Sequence, residues 1–363
     1  MTAELSERRR YILKLVVQEY IETSVPVASE LLTRKYGLSV SSATVRNELA
    51  ALEDLGYLMH LHTSAGRIPT DVGYRYYVEN LMERAPLSSN EQRTIRHQFY
   101  QVRSEFDQWI QLAGAVLART TQNASVVTPP RANQARFKHL ELLAIYEMTL
   151  LLVLVLHDGT IRQQTLTLES ATSQEELSRT AARINDICRD ASPARLDELR
   201  SVIIAGSTIE GLILDTISRA MQQYEDQLNR AIHSDGLIEA LSQPEFTEVG
   251  RVRQIVEILQ GGKAIGLLIP RALSSSGVQV VIGGEHSANE MRAYSVVLSR
   301  YGVDGEVVGV LGVVGPTRLA YPRTISAVRY IAAVMSDMLG DLYGTDGSPR
   351  VANDEDATER GMV

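Results

Sequence analysis

Ser42, Ala43, Arg46 and Asn47 fall at i, i+1, i+4 and i+5. In a helix that spacing puts all four on one stripe near its N-terminal end. The residue types suit one kind of chemistry. Arginine grips guanine through two hydrogen bonds, asparagine does the same for adenine, and serine or threonine suits phosphates or bases. The first turn of such a helix also offers free N–H groups and a positive dipole end to a phosphate. A second cluster follows at Leu61-His62-Thr63-Ser64-Ala65-Gly66 and Arg67. A polar, glycine-containing loop with an arginine at its base is the composition of a wing that meets backbone or minor groove.

Elements to position these side chains are legible around them. Ser6 is a helix N-cap, and Ile12, Leu13, Val16, Val17, Tyr20 and Ile21 make that helix's inward stripe. Thr23 to Pro26 breaks it. A second helix spans about Ala28 to Tyr36 and buries Leu31 and Leu32, with Gly37 as its left-handed stop. Ser41 caps a third helix whose inward face is Val45, Leu49, Leu52 and Leu55. Tyr57 to His60 and Arg67 to Pro69 then form two short strands around the loop. The residues expected at DNA are therefore Ser41, Ser42, Ala43, Thr44, Arg46 and Asn47 on the helix, and His62, Thr63, Ser64, Gly66 and Arg67 on the wing. Read on periodicity alone, the same three-helix unit with a hairpin also serves protein contacts, with Arg46 as a solvated surface charge.

Bulk charge does not favour nucleic acid. The chain of 363 residues carries a net charge of −8, which argues against non-specific affinity for polyanions. Residues 1–85 hold ten Lys/Arg against eleven Asp/Glu, a balance of −1. Any DNA affinity must come from the placement of charge. The length implies two or three domains. The longest apolar run, Leu150 to Leu156, is far below the roughly 20 residues of a membrane span. The N-terminus reads as neither signal nor transit peptide. Cys188 is the single cysteine, so no intrachain disulfide forms and a reducing cytoplasm fits.

Further along, Leu87 to Asn90 is a linker, and a long helical pattern covers about Glu91 to Gln122. Strands are expected over Leu140 to Ile145, Leu150 to Leu156 and Ile161 to Leu166, with His157-Asp158-Gly159-Thr160 as a tight turn. Ser173 to Glu176 opens a helix with a capping box. Residues 188–243 are mostly helical. The stripe Ile209, Leu212, Ile213, Ile217, Met221 and Leu228 is either core or a dimer seam. A helix from Pro244 leads to strands over Ala264 to Ile269, Val278 to Ile282, Ala293 to Tyr301 and Glu306 to Val314, then to a helix over Thr324 to Leu342. The pattern implies an α+β fold interrupted by a helical insertion. The tail from Gly344 is acidic and polar and is expected to be disordered.

Three segments carry a family resemblance. Ser41-Ser42-Ala43-Thr44-Val45-Arg46-Asn47-Glu48-Leu49-Ala50-Ala51-Leu52-Glu53, His62-Thr63-Ser64-Ala65-Gly66-Arg67-Ile68-Pro69-Thr70 and Gly73-Tyr74-Arg75-Tyr76-Tyr77-Val78 closely resemble HrcA, a family of bacterial heat-inducible transcription repressors. Ile282 to Glu285, Tyr294 to Val297 and Gly312 to Arg318 resemble its late motifs, so the likeness covers about residues 5–343. It implies an N-terminal winged helix-turn-helix, a GAF-like α+β domain and an inserted dimerisation domain. The expected boundaries are 1–85 for the winged helix, 86–187 with 244–343 for the GAF-like domain, 188–243 for the insertion and 344–363 for the tail. It also implies a homodimer on double-stranded DNA with an inverted-repeat, CIRCE-type operator before chaperone operons, release on heat stress, and the chaperonin GroEL as a partner. Gly283-Gly284-Glu285-His286, Leu319-Ala320-Tyr321 and Val25-Pro26-Val27-Ala28-Ser29 depart from the family's commoner patterns. They leave the DNA-reading helix alone and put a shared regulatory contact of the second domain in doubt.

Other constellations are weaker. His60 and His62 share a strand face but lack a third ligand, so no metal is expected. Gly261-Gly262-Lys263-Ala264 lacks the remainder of a P-loop, and Gly305, Gly309, Gly312 and Gly315 lack dinucleotide spacing. Gly315 to Arg318 reads as a structural turn or as an anion cradle. With no catalytic constellation and no cofactor site, an enzyme is not expected. The remaining alternative is a winged-helix regulator that senses a metabolite in its GAF-like domain.

Overall fold

The computed structural model describes residues 5–343 apart from 61–65, 103–105, 133–134, 158, 204–207, 231, 276 and 304–306. The acidic tail and Asp158 of the expected turn lie outside the described residues.

The chain opens with α1 (Glu7–Thr23), α2 (Ser29–Tyr36) and α3 (Ser42–Asp54). Ser6 caps α1 by accepting from the Arg9 N–H, and Ser24 closes it in the left-handed region. Gly37 ends α2 in the same region, and Ser41 caps α3 by accepting from the Thr44 N–H. Val45, Leu49 and Leu52 are buried, as their spacing requires. Leu55 departs from expectation: it is the C-cap residue and 41% exposed, because the helix ends before its side chain reaches the inward face. β1 (Leu58–His60) and β2 (Arg67–Pro69) pair antiparallel. α4 (Asp71–Tyr76) runs on into a π turn over Tyr77–Leu81.

The expected long helix of 91–122 is two helices, α5 (Ser89–Gln101) and α6 (Phe106–Thr121). β3 (Ala124–Val127) follows and belongs to the main sheet.

The next stretch forms its own compact unit, residues 130–231 with 304–308. It begins with β4 (Arg131–Ala132). Next come β5 (Phe137–Tyr146), β6 (Thr149–Leu156) and β7 (Ile161–Thr167), an antiparallel sheet of three strands. α7 (Gln174–Ile187), α8 (Pro193–Ile203) and α9 (Thr208–Arg230) complete it. The capping box of α7 forms between Ser173 and Glu176. β6 alternates strictly: Leu150, Leu152, Leu154 and Leu156 are buried, and Leu151, Val153 and Val155 are half-buried on the other face. The inner face joins Leu177, Ala181, Ile184, Ile213, Ile217 and Met221 in one core. That resolves the stripe on α9, whose Ile213, Ile217 and Met221 are consumed inside this unit. It also moves the insertion's boundaries from 188–243 to about 130–231. The strands expected in the GAF-like domain share their core with α7 and α9, so the insertion is itself α+β. Cys188 is buried in this core, where burial pushes its thiol up to about 11.

The outer face of β6 is apolar, and its neighbours on that face are mixed, with Glu141 and Gln163 beside Val153. Leu143 lies beside Leu151, and Ile161 beside Val155. Leu143, Ile145 and Ile161 are exposed.

The chain then returns to the first unit through β8 (His233–Asp235), α10 (Leu237–Leu241), α11 (Val249–Gly261), α12 (Lys263–Gly266) and α13 (Ile269–Ser274). The strand expected at Ala264 to Ile269 is therefore helical. A short apolar run cannot separate a buried helix from a strand by periodicity. Here Ala264, Ile265, Ile269 and Ala272 fall on the buried face. β9 (Val278–Ile282), β10 (Tyr294–Val303), β11 (Val307–Pro316) and α14 (Tyr321–Tyr343) complete the chain. The main sheet runs β8-β3-β11-β10-β9. Ala124, Val126, Val296, Leu298, Val310 and Val314 share a core with α11, α12 and α13. Val297, Leu311 and Val313 are also buried. Strands covered on both faces read as unbroken apolar runs.

Candidate nucleic-acid interface

α3 presents the expected stripe. Ala43, Arg46 and Asn47 are exposed and Ser42 is half-buried. The Arg46 side chain is 70% exposed, with one Nη 3.5 Å from a Glu30 carboxylate oxygen. Ser41 and Thr44 have a local task as well. Ser41 Oγ accepts from the Thr44 N–H at 3.2 Å and lies 3.0 Å from the Thr44 hydroxyl. Both oxygens stand at the start of the helix.

The wing is anchored at its base. Arg67 exchanges two backbone hydrogen bonds with Val27, at 2.8 and 2.9 Å. Gly66 lies so close to this segment that a Cβ there would sit 2.6 Å from the Pro26 and Val27 backbone. Its glycine is required by that approach, whatever it does at DNA. Arg67 is not a loose surface cation: its Nε is 2.6 Å from Glu53 Oε2, and both side chains are 22% exposed. His60 bonds the other oxygen of Glu53. One residue of α3 thus holds both wing strands. His62, Thr63 and Ser64 lie outside the described residues.

Sequence reasoning missed the carboxylates. Glu48 accepts from Arg9 Nε at 2.8 Å and lies 3.6 Å from Arg8. These pairings join residues far apart in the chain, and no local pattern announces them.

It also missed how the winged helix is joined to the sheet domain. The Gly284 N–H donates to Asp71 at 2.7 Å. Arg75 Nε donates to Glu285 at 2.6 Å, a second nitrogen bonds the other oxygen, and that nitrogen also reaches the Val280 carbonyl at 2.8 Å. Partial burial pushes the Glu285 carboxyl up, but Arg75 and the Ile282 N–H outweigh it and hold it below its usual range. Arg318, only 9% exposed, donates to the Ile21 carbonyl at 3.0 Å and to Gln243 at 2.8 Å, and pairs with Glu245. It grips the C-terminal end of α1, which decides between turn and anion cradle in favour of a structural contact. Tyr74 stacks obliquely near Tyr321, ring centres 5.8 Å apart. Two of the segments that depart from the family pattern, 283–286 and 319–321, lie in this joint.

A winged helix with an exposed polar stripe on α3, fixed to an α+β body that carries an α+β insertion, is the architecture of a transcriptional regulator. Comparison with known proteins places it more closely. The profile described as "HrcA protein C terminal domain" matches residues 107–325. A heat-inducible transcription repressor HrcA of Roseiflexus sp. (strain RS-1) is 70% identical over 97% of this chain and 99% of its own length. A protein of the same name from Herpetosiphon aurantiacus is 60% identical over 95% of this chain and 98% of its own. One solved structure, titled as a hypothetical protein at 2.2 Å resolution, superposes with a TM-score of 0.53 at 22% identity. It covers 93% of this chain and 99% of its own, a likeness that shows the fold.

The chain belongs to the HrcA family of heat-inducible transcription repressors. That is a family of negative regulators and not one of enzymes. Among the described residues no helix is long and apolar enough to cross a membrane.

Proposed function

We propose that this chain binds an inverted-repeat operator of the CIRCE type in the cytoplasm as a homodimer, represses chaperone operons, and lets go on heat stress. The carrying observation is the exposed stripe of α3, where Arg46 and Asn47 stand free of the protein's own core. In this reading Ser42, Ala43, Arg46 and Asn47 meet base edges, while Ser41 and Thr44 lie at phosphate. His62, Thr63, Ser64, Gly66 and Arg67 place the wing along the backbone.

A palindrome asks for two copies of the reading helix at a fixed spacing. The 130–231 insertion has a surface for pairing them: the outer face of β6 with Leu143, Ile145 and Ile161 beside it. Exposed apolar patches of this kind mark protein contacts. Heat acts by shifting a marginally stable population toward a form unable to pair or read. The chaperonin GroEL enters as a partner through the family resemblance alone.

The test is a mobility-shift titration with an operator duplex. Arg46→Ala should cost about 1–3 kcal/mol, roughly fivefold to 150-fold in affinity, and relax one base preference. Unchanged affinity and preference would remove α3 from the interface.

A further inference from the structure

The winged helix has an excess of acid, and the structure shows where that acid goes. Three carboxylates of α2 and α3 sit on cations of the winged helix, one of them Arg46 of the stripe itself. Glu30 faces Arg46 at 3.5 Å, Glu48 takes Arg9 at 2.8 Å with Arg8 at 3.6 Å, and Glu53 takes Arg67 at 2.6 Å together with His60. The Glu30 pair is open to water, with side chains 70% and 74% exposed. Pairs so exposed add little to stability, so holding the fold together does not account for it.

The pairing has a consequence at DNA. A guanidinium has five N–H donors, so it can keep a carboxylate and still bond a base edge. A phosphate arriving at the same cation meets the carboxylate's charge well within a Debye length. Sequence-independent affinity is built almost wholly from phosphate attraction, whereas discrimination is built from base edges. Carboxylates placed on the interface cations therefore subtract more from binding to arbitrary DNA than from binding to the right sequence.

We propose that Glu30, Glu48 and Glu53 are specificity-determining residues: they orient the interface cations and suppress affinity for DNA of the wrong sequence. This rests on the DNA-reading role of α3 given above. It makes a prediction of unusual sign. A carboxylate with only a structural role would, when neutralised, weaken binding; one that screens phosphate would strengthen it.

The experiment uses the full chain with Glu30→Gln, Glu48→Gln and Glu53→Gln, singly. Each is titrated by fluorescence anisotropy against an operator duplex and a scrambled duplex of equal length, over a range of salt. Thermal melting checks that each variant is folded. Removing one negative charge several ångströms from a phosphate is expected to raise affinity for the scrambled duplex about threefold at low salt. The gain should shrink as salt rises, and the operator should gain less, so that the ratio of the two affinities falls. Glu30→Gln is the decisive variant, since its exposed pair can be lost without disturbing the core.

Scrambled-duplex affinity that is unchanged or lower in folded Glu30→Gln overturns the proposal. The parent chain separates that failure from a deeper one. If the parent prefers the operator and the variants show no gain, only the screening role falls. If the parent does not prefer the operator at all, the DNA reading itself fails and takes this inference with it.

Discussion

At the joint between the winged helix and the main sheet, groups meet by direction. Asp71 accepts from Gly284, Arg75 forks onto Glu285, and Arg318 reaches the last turn of α1. Inside the 130–231 insertion, leucines of β5 and β6 meet α7 and α9 by area. The two respond differently to disturbance. Apolar burial scales with surface removed from water and tolerates small rotations. A hydrogen-bonded ion pair is lost when geometry slips by an ångström or when one partner changes charge. The contrast locates sensitivity in the joint and endurance in the insertion.

Three measurements test that contrast. Leu154→Ala removes a fully buried side chain from the insertion's core and should cost about 2–5 kcal/mol in denaturant unfolding. Its loss of hydrogen-exchange protection should be confined to about 137–221. A cost no greater than that of the joint variant below would erase the distinction. Gly283→Ala comes next. Gly283 has φ +49, and a Cβ there would lie 2.3 Å from an Asp71 carboxylate oxygen. About 1–3 kcal/mol is expected, with protection lost at α4 and 280–286 while the insertion keeps its own. Retained protection at α4 would mean that the joint yields without breaking.

The smallest effect is that of pH on His286. The ring is buried, and burial holds its pKa below the usual histidine value, only partly offset by its hydrogen bonds and by Glu285 and Asp71. The folded value lies below the unfolded one of about 6.5. Its contribution is therefore complete above about pH 6.5 and is lost as pH falls from there toward the folded value. Exchange at 280–286 should quicken between pH 7.5 and 5.5 after correction for intrinsic rates, and His286→Asn should flatten the change. An equal response in that variant would assign the sensitivity to other groups.

What could be read in advance was what the chain decides locally. Ser6, Gly37 and Ser41 delimit α1, α2 and α3 through bonds to residues within a turn, and Ser173 with Glu176 does so for α7. The stripe of α3 follows from a period of 3.6 residues. Illegible were the choices that depend on distant partners. Nothing in Leu140 to Leu166 says which sheet it joins, and Ala264 to Ile269 is too short to show a period. Glu53 looks like any helical surface acid until the wing folds back on it. Arg75, Gly284 and Arg318 lie in segments that carry the family likeness, yet their meeting is invisible without the fold.

The order of strands also sets a schedule for making the protein. β3 is bonded along its length by β11, and the Val310 N–H returns to Thr128 across 182 positions of sequence. At ordinary translation rates that interval lasts roughly 10–40 s. Throughout it, the N-terminal helices leave the ribosome ahead of the strand that completes the sheet. The young chain carries a bare strand edge, the kind of surface that invites pairing with the wrong molecule. Completion of this sheet is thus a non-local event, and sheets closed by such distant strands are intrinsically slow to form.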